Sequence, residues 1–258
     1  MPETRPPHPP ENLDEELLNA DLREVAQELS DDERLDRIRA ELDRSFRALR
    51  DVRRGVTVFG SARLGPGTPQ YEATRELGRR LAVDARATVI TGGGPGLMEA
   101  ANRGAAEAGG RTVGLLIDLP FETHGNEFLD LAVEFHYFFT RKVSFVRYSG
   151  AFVATPGGYG TMDELFEVLC LVQTQKIRRY PVVLWGVDYW SGLVAWLRER
   201  MMADGLISPA DDRLFRLTDD VDEVVEICRA AADVREAGGP GDLHGAMGED
   251  WPPGRWAA

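Results

Sequence analysis

The residues best suited to chemistry stand together in Thr155-Pro156-Gly157-Gly158-Tyr159-Gly160-Thr161-Met162-Asp163-Glu164. An apolar run, Ala151 to Ala154, leads in, and an amphipathic run, Leu165 to Val172, leads out. The spacing predicts a strand, a glycine turn and a helix. Glycines at 157, 158 and 160 clear side chains from the turn, so a ligand can approach its backbone N–H groups closely. The helix that follows aims unpaired N–H groups and the positive end of its dipole at the same place, which suits a phosphate. Glu164 then stands one turn inside the helix, within reach of whatever the turn holds. The same residues admit a reading without any ligand: Thr161-x-x-Glu164 is a capping box, in which the two residues satisfy each other's backbone donors.

Two further glycine turns follow predicted strands. Val56 to Phe59 runs into Gly60-Ser61-Ala62-Arg63, and Thr88 to Ile90 runs into Thr91-Gly92-Gly93-Gly94-Pro95-Gly96. In an open parallel sheet, ligands gather outside the carboxyl ends of the strands, where all three turns lie. The turn at 92–96 departs from the dinucleotide fingerprint, since its glycines are spaced G-x-G-x-G after the second strand. Asp118, closing the next strand, keeps a nicotinamide reading open. No Gly-Lys-Ser/Thr follows any of the turns, which argues against a P-loop. Arg141-Lys142 lies on a predicted helix, where a basic pair usually marks a solvated face. The chain has only two lysines, Lys142 and Lys176, so a lysine kept beside Arg141 is notable. Glu122 and His124 fall in a predicted loop, and taken alone both read as exposed polar residues. His136 reads as structural, and no His, Cys and acid cluster has metal-ligand spacing.

Pro-Gly-Gly-Tyr-Gly-Thr-x-x-Glu resembles the signature of the Lonely Guy family, the cytokinin-riboside-monophosphate phosphoribohydrolases once labelled lysine decarboxylases. Gly-Gly-Gly-x-Gly-Leu-Met is similar to that family's second signature, and Phe-Phe-Thr-Arg-Lys-Val to its Arg-Lys motif. The likeness covers roughly residues 55–205. It implies that Arg141 and Glu164 are catalytic. It also implies that Ser61, Gly93, Gly94, Gly96, Met98, Glu122, Lys142, Gly157, Gly158, Tyr159, Gly160 and Thr161 hold a nucleotide monophosphate. A homodimer is implied as well. Two residues depart from the plant-type pattern: Glu99 stands where glycine is usual and Cys170 where threonine is usual. Both are expected to alter the pocket around the base.

The elements that must position these residues are legible. Strands and helices alternate from Val56 onward, which predicts an α/β, Rossmann-like, doubly wound parallel sheet with helices on both faces. The expected strands are Val56–Phe59, Thr88–Ile90, Thr112–Ile117, Val133–Phe135, Ala151–Ala154 and Val182–Trp185, with an edge strand at Leu214–Leu217. Ahead of this core, residues 13–50 read as a helical extension. Apolar positions follow a helical period from Leu13 to Leu29. Ser30-Asp31-Asp32-Glu33 then caps a second helix whose stripe is Leu35, Ile38, Leu42, Phe46 and Leu49. Its place is left open: on the core, across a dimer, or mobile. Residues 1–12 read as a disordered leader, 51–236 as the catalytic domain and 237–258 as a disordered tail.

Composition bounds the partners. At 258 residues and 43% apolar, the chain can bury a full core. A net charge of −13 argues against a nucleic-acid surface, though a local site can still be positive. No apolar run would span a membrane and none resembles a signal peptide, which points to the cytoplasm. The two cysteines, Cys170 and Cys228, read as buried free thiols. The expected activity is hydrolysis of the N-glycosidic bond of adenosine 5′-monophosphate or an N6-modified form, releasing base and ribose 5-phosphate without cofactor or metal. The alternative is a non-catalytic carrier of a nucleotide or of molybdenum cofactor.

Overall fold

Short runs rich in valine, buried on both faces, leave these strands little choice but a parallel sheet covered by helices on both sides. A computed structural model describes residues 13–18, 30–118, 125–177 and 180–237 of the chain. Seven strands form one sheet: β1 (Gly55–Phe59), β2 (Thr88–Thr91), β3 (Thr112–Ile117), β4 (Leu131–Phe135), β5 (Ala151–Ala154), β6 (Val182–Trp185) and β7 (Arg216–Thr218). Their order is β4-β3-β2-β1-β5-β6-β7, and every pairing is parallel. The edge strand expected at Leu214 starts two residues later, because Leu214 closes a short 3-10 turn over Asp211–Arg213.

Helices are α1 (Leu13–Leu18), α2 (Asp31–Leu49), α3 (Pro69–Val83), α4 (Leu97–Glu107), α5 (Phe138–Tyr148), α6 (Tyr159–Gln173), α7 (Val187–Trp196) and α8 (Val221–Glu236). Helix α7 continues as a π-helical turn, Leu197–Met202. Alternate strand residues feed two cores. Phe59, Ile90, Phe152, Ala154 and Leu184 meet Leu49, Phe145, Leu165 and Trp190 on one face. Val56, Val58, Val89, Val153 and Val183 meet Leu77, Leu81, Ala105 and Val224 on the other. The sheet is thus doubly wound. Its order reverses between β1 and β5, where Phe59 pairs with Ala154. The two chains therefore leave the sheet side by side, the geometry that opens a ligand crevice.

The capping box at Ser30 forms as expected, with Glu33 Oε2 accepting from Ser30 N at 2.8 Å. The apolar stripe read for α2 is only half right. Leu35 is exposed, and the helix buries Arg34, Glu41, Ser45 and Leu49. This helix packs on the core along α5: Ser144 Oγ lies 3.3 Å from Ser45 Oγ, and Tyr148 OH donates to the Phe46 carbonyl at 3.2 Å. Residues 19–29 of the first expected helix, the leader, and the tail beyond Ala237 lie outside the described residues. Cys228 is buried as expected, and burial pushes its thiol up to about 12, whereas Cys170 is exposed. Among the described residues, no helix is long and apolar enough to cross a membrane.

Candidate active site

The crevice at the strand switch is a cleft of about 760 Å³, walled by the ends of β1, β2 and β3 and the starts of α5 and α6. Of the residues singled out in the sequence, Ser61, Met98, Arg141, Gly157, Gly158, Tyr159, Gly160, Thr161 and Glu164 line it. The first and third turns are tied together: Ser61 N donates to the Pro156 carbonyl at 3.0 Å, and Thr155 N to the Phe59 carbonyl at 2.9 Å. The tie has no room for a side chain at position 60, where a Cβ would lie 2.3 Å from Thr155 Oγ1.

The capping reading of Thr161 and Glu164 does not hold. Helix α6 begins at Tyr159, with Gly158 as its N-cap and no side-chain cap. The chain enters the helix two residues before Thr161, which therefore cannot cap it. Thr161 therefore sits inside the first turn, its hydroxyl so close to Gly157 that a Cβ there would lie 2.1 Å away. Glu164 is carried one turn deeper, only 7% exposed and facing the cleft. Among the described residues, no hydrogen bond reaches its carboxylate. Burial is the main reason its carboxyl is pushed up to about 7; Arg141 and Lys142 pull it down, while Glu167 and Asp163 push it further up.

Arg141 reaches the cleft from α5. Its Nε donates to the Leu115 carbonyl at 2.8 Å and one terminal nitrogen to the Gly92 carbonyl at 3.3 Å. The guanidinium carbon sits 5.2 Å from the centre of the Phe145 ring. These contacts hold a planar cation between the end of β2 and the latter half of β3. Lys142 turns away, pairing with Asp163 at 2.8 Å and Glu167 at 2.5 Å. It acts on the cleft through charge. Arg63 and Asp163 complete the charged lining.

In the second turn, Gly92 lines the cleft, whereas Gly93, Gly94 and Gly96 shape the wall behind it. Asn126 donates to the carbonyls of Gly93 and Gly94, each at 3.1 Å, and Thr91 Oγ1 accepts from Gly93 N at 2.9 Å. Gly96 has φ +71, and its missing Cβ would meet the Ser61 carbonyl at 2.4 Å. Glycine is thus needed there for close approach of the first two turns. Glu122 and His124 lie outside the described residues. His136 is structural, as expected: its Nδ1 lies 2.9 Å from Glu41 Oε2. Among the described residues, no group of three His, Cys, Asp or Glu side chains could hold a metal ion.

Sequence reasoning missed the aromatic lining, Phe138, Phe145 and Tyr189. Aromatics near helix starts read as core, and only the tertiary fold brings Tyr189 to the turn, where its hydroxyl donates to the Gly157 carbonyl at 2.5 Å. The expected effect of Glu99 and Cys170 on the pocket is not seen. Glu99 accepts from Tyr71 OH at 2.6 Å on the α3 side, and neither residue lines the cleft.

Comparison with known proteins follows the same residues. A family model described as "possible lysine decarboxylase" matches residues 98–228, just over half of the chain. A probable cytokinin riboside 5′-monophosphate phosphoribohydrolase of Oryza sativa subsp. japonica is 34% identical over 177 residues, 67% of this chain and 76% of its own. A cytokinin riboside 5′-monophosphate phosphoribohydrolase of Arabidopsis thaliana is 32% identical over 189 residues, 70% of this chain and 79% of its own. Among solved structures, that of TM1055 superposes with a TM-score of 0.52 at 28% identity, covering 67% of this chain and 97% of that one. A molybdenum cofactor binding protein from Rippkaea orientalis shares the fold, with a TM-score of 0.51 at 23% identity, over 68% of this chain and 94% of its own. On the family model and these relatives, the chain belongs to the Lonely Guy family.

Proposed function

We propose that this protein hydrolyses the N-glycosidic bond of a purine nucleoside 5′-monophosphate, adenosine 5′-monophosphate or an N6-modified form of it, releasing the free base and ribose 5-phosphate. The observation that carries the reading is Glu164: a buried carboxylate in the cleft wall, released from capping duty and facing the same cleft as Arg141. Breaking the bond between ribose C1′ and the purine nitrogen builds positive charge on the sugar. An ionised Glu164 stabilises that charge and orients or deprotonates the attacking water, whose oxygen ends on C1′. A carboxyl titrating near 7 suits proton transfer at neutral pH. The bonding electrons leave with the purine, which takes up a proton. Arg141 is always charged; it can donate hydrogen bonds to the departing base or to the phosphate without giving up a proton. The first turn of α6 offers the N–H groups of Tyr159, Gly160 and Thr161 to the 5′-phosphate, since the first intrahelical bond runs from Met162 N to the Gly158 carbonyl. Phosphate binding then orients the scissile bond.

The names borne by the relatives point the same way. The test is chromatographic release of base from adenosine 5′-monophosphate and from its N6-isopentenyl derivative, with the matching nucleosides as controls. Release from the monophosphates and little from the nucleosides is the expected result. A protein that binds both nucleotides and cleaves neither is a carrier, and the hydrolase reading fails.

A further inference from the structure

Helix α5, which presents Arg141 to the cleft, has no cap of its own: Tyr137 at its N-cap makes no side-chain cap bond. The cap comes from the N-terminal extension. Glu41 of α2, 3% exposed, reaches across to the start of α5. Its Oε2 accepts from His136 N at 2.8 Å and lies 2.9 Å from His136 Nδ1; its Oε1 accepts from Tyr137 N at 3.4 Å and from the Thr140 hydroxyl. Asp14 of α1 adds a second carboxylate, accepting from Phe138 N at 3.2 Å. Two carboxylates more than 90 residues away in sequence thus occupy the positive end of the helix. A buried carboxylate is expensive unless its oxygens are filled, and those of Glu41 are filled by donors from the start of α5.

Arg141 stands one turn beyond this cap, its N–H donating to the Tyr137 carbonyl at 3.3 Å. Phe138, at the first helical position, lines the cleft. An uncapped first turn frays, and both residues lie within it or at its edge. We propose that Glu41 is a positioning residue for Arg141, so that the extension sets the placement of a cleft cation from outside the nucleotide fold. The consequence for turnover rests on the hydrolase reading above; the consequence for nucleotide binding does not.

The experiment uses the full chain and compares Glu41→Ala, Glu41→Gln, Arg141→Ala and the double variant Glu41→Ala/Arg141→Ala. Leu49→Val serves as a control that loosens the same helix at its far end, where Leu49 is fully buried. All are assayed at a temperature at which circular dichroism shows them folded. Glu41→Ala is expected to lower kcat for adenosine 5′-monophosphate about tenfold or more, as a misplaced catalytic group does. Glu41→Gln, which keeps one acceptor oxygen, should fall between, and Leu49→Val should keep kcat near wild type. The decisive reading is coupling: in the Arg141→Ala background, Glu41→Ala should add little further loss. If the two losses multiply, or if Leu49→Val loses kcat as Glu41→Ala does, the positioning role is overturned and Glu41 only stabilises the fold. If the wild type cleaves nothing, the same cycle is read from Kd for adenosine 5′-monophosphate. Coupled losses there support the positioning role, independent losses overturn it, and the hydrolase reading fails separately.

Discussion

Replacing Glu164 by glutamine separates the two consequences of burying a carboxylate in the cleft wall. In the folded protein the carboxyl titrates at about 7, against 4.5 for an unhindered glutamate. Below about pH 4.5 it is protonated in both folded and unfolded chains and burial of the charge costs nothing. As pH rises from there, the unfolded chain gains by ionising while the folded one holds its proton. Stability falls until the folded carboxyl ionises near pH 7, and the deficit is constant above that. At about 1.36 kcal/mol per pH unit between the two values, the deficit reaches roughly 3 kcal/mol.

Glutamine has nearly the same shape and no charge to desolvate. Glu164→Gln is therefore expected to be about 2–3 kcal/mol more stable than wild type at pH 8, or roughly 4–12 °C in Tm for a chain of this size. The gain should shrink toward zero as pH approaches 4.5. Base release should fall by about two orders of magnitude or more. Thermal unfolding followed by circular dichroism at pH 8, 6.5 and 5, beside the chromatographic assay, checks both halves. A glutamate that served as a cap would give a different pattern, with stability within about 1 kcal/mol of wild type at every pH. If the variant gains no stability at pH 8, or gains equally at pH 5, the carboxylate is not desolvated by the fold and the argument is wrong.

The same titration predicts that kcat/KM for the monophosphate rises with pH through an inflection near 7, since only ionised Glu164 is active. Lys142→Met should move that inflection upward, because Lys142 pulls the Glu164 carboxyl down; an unmoved profile would show that the two do not interact. Gly160→Ala meets no protein atom within 4 Å and stands in the first turn of α6, so it should leave Tm unchanged or slightly raised. By titration calorimetry it should weaken nucleotide binding about tenfold, if phosphate approaches those N–H groups as closely as proposed. Unchanged affinity would place the phosphate elsewhere. Lys142 is held charged by Asp163 and Glu167, a poor state for a Schiff base, and Lys176 is exposed. Purified protein is accordingly expected to show no pyridoxal absorbance after incubation with pyridoxal phosphate and no carbon dioxide from lysine; either would contradict the hydrolase reading.

The sheet was legible because each strand is a short apolar run ending at a glycine turn, and parallel topology then places those turns together. The site was legible as far as backbone shape and local spacing reach. The two capping boxes show the limit. Ser30 and Glu33 close theirs, but Thr161 and Glu164, with the same spacing, do not, because α6 starts earlier, at Tyr159. A four-residue pattern cannot say where the chain enters the helix. The resemblance implies that Lys142 holds the nucleotide; one step along a helix turns its side chain about 100° from that of Arg141, and its partners in the fold are carboxylates on α6. The cap on α5 was beyond the sequence altogether. Glu41 lies among charged residues on a helix whose apolar stripe drew attention to another face, and its partners are some 95 residues on.

Charge burial in this protein has a common direction. Among the described residues, the buried charged side chains are Arg34, Glu41 and Glu164. Two of them, Glu41 and Glu164, bear on the cleft from opposite ends. Glu41 fixes the start of α5, one turn before Arg141. Arg141 is held in turn by the carbonyls of Gly92, just past β2, and of Leu115, inside β3, and it draws down the carboxyl of Glu164 across the cleft. An apolar residue at 41 would avoid the desolvation cost but take from the His136 and Tyr137 amides the acceptor that Glu41 supplies. An apolar residue at 164 would relieve the fold and remove the only buried carboxylate among the described residues of the cleft wall. The first charge is offset within the fold by the donors it satisfies. The second has no such hydrogen-bond offset among the described residues, and this unsatisfied buried carboxylate is what the proposed role of Glu164 toward a substrate draws on.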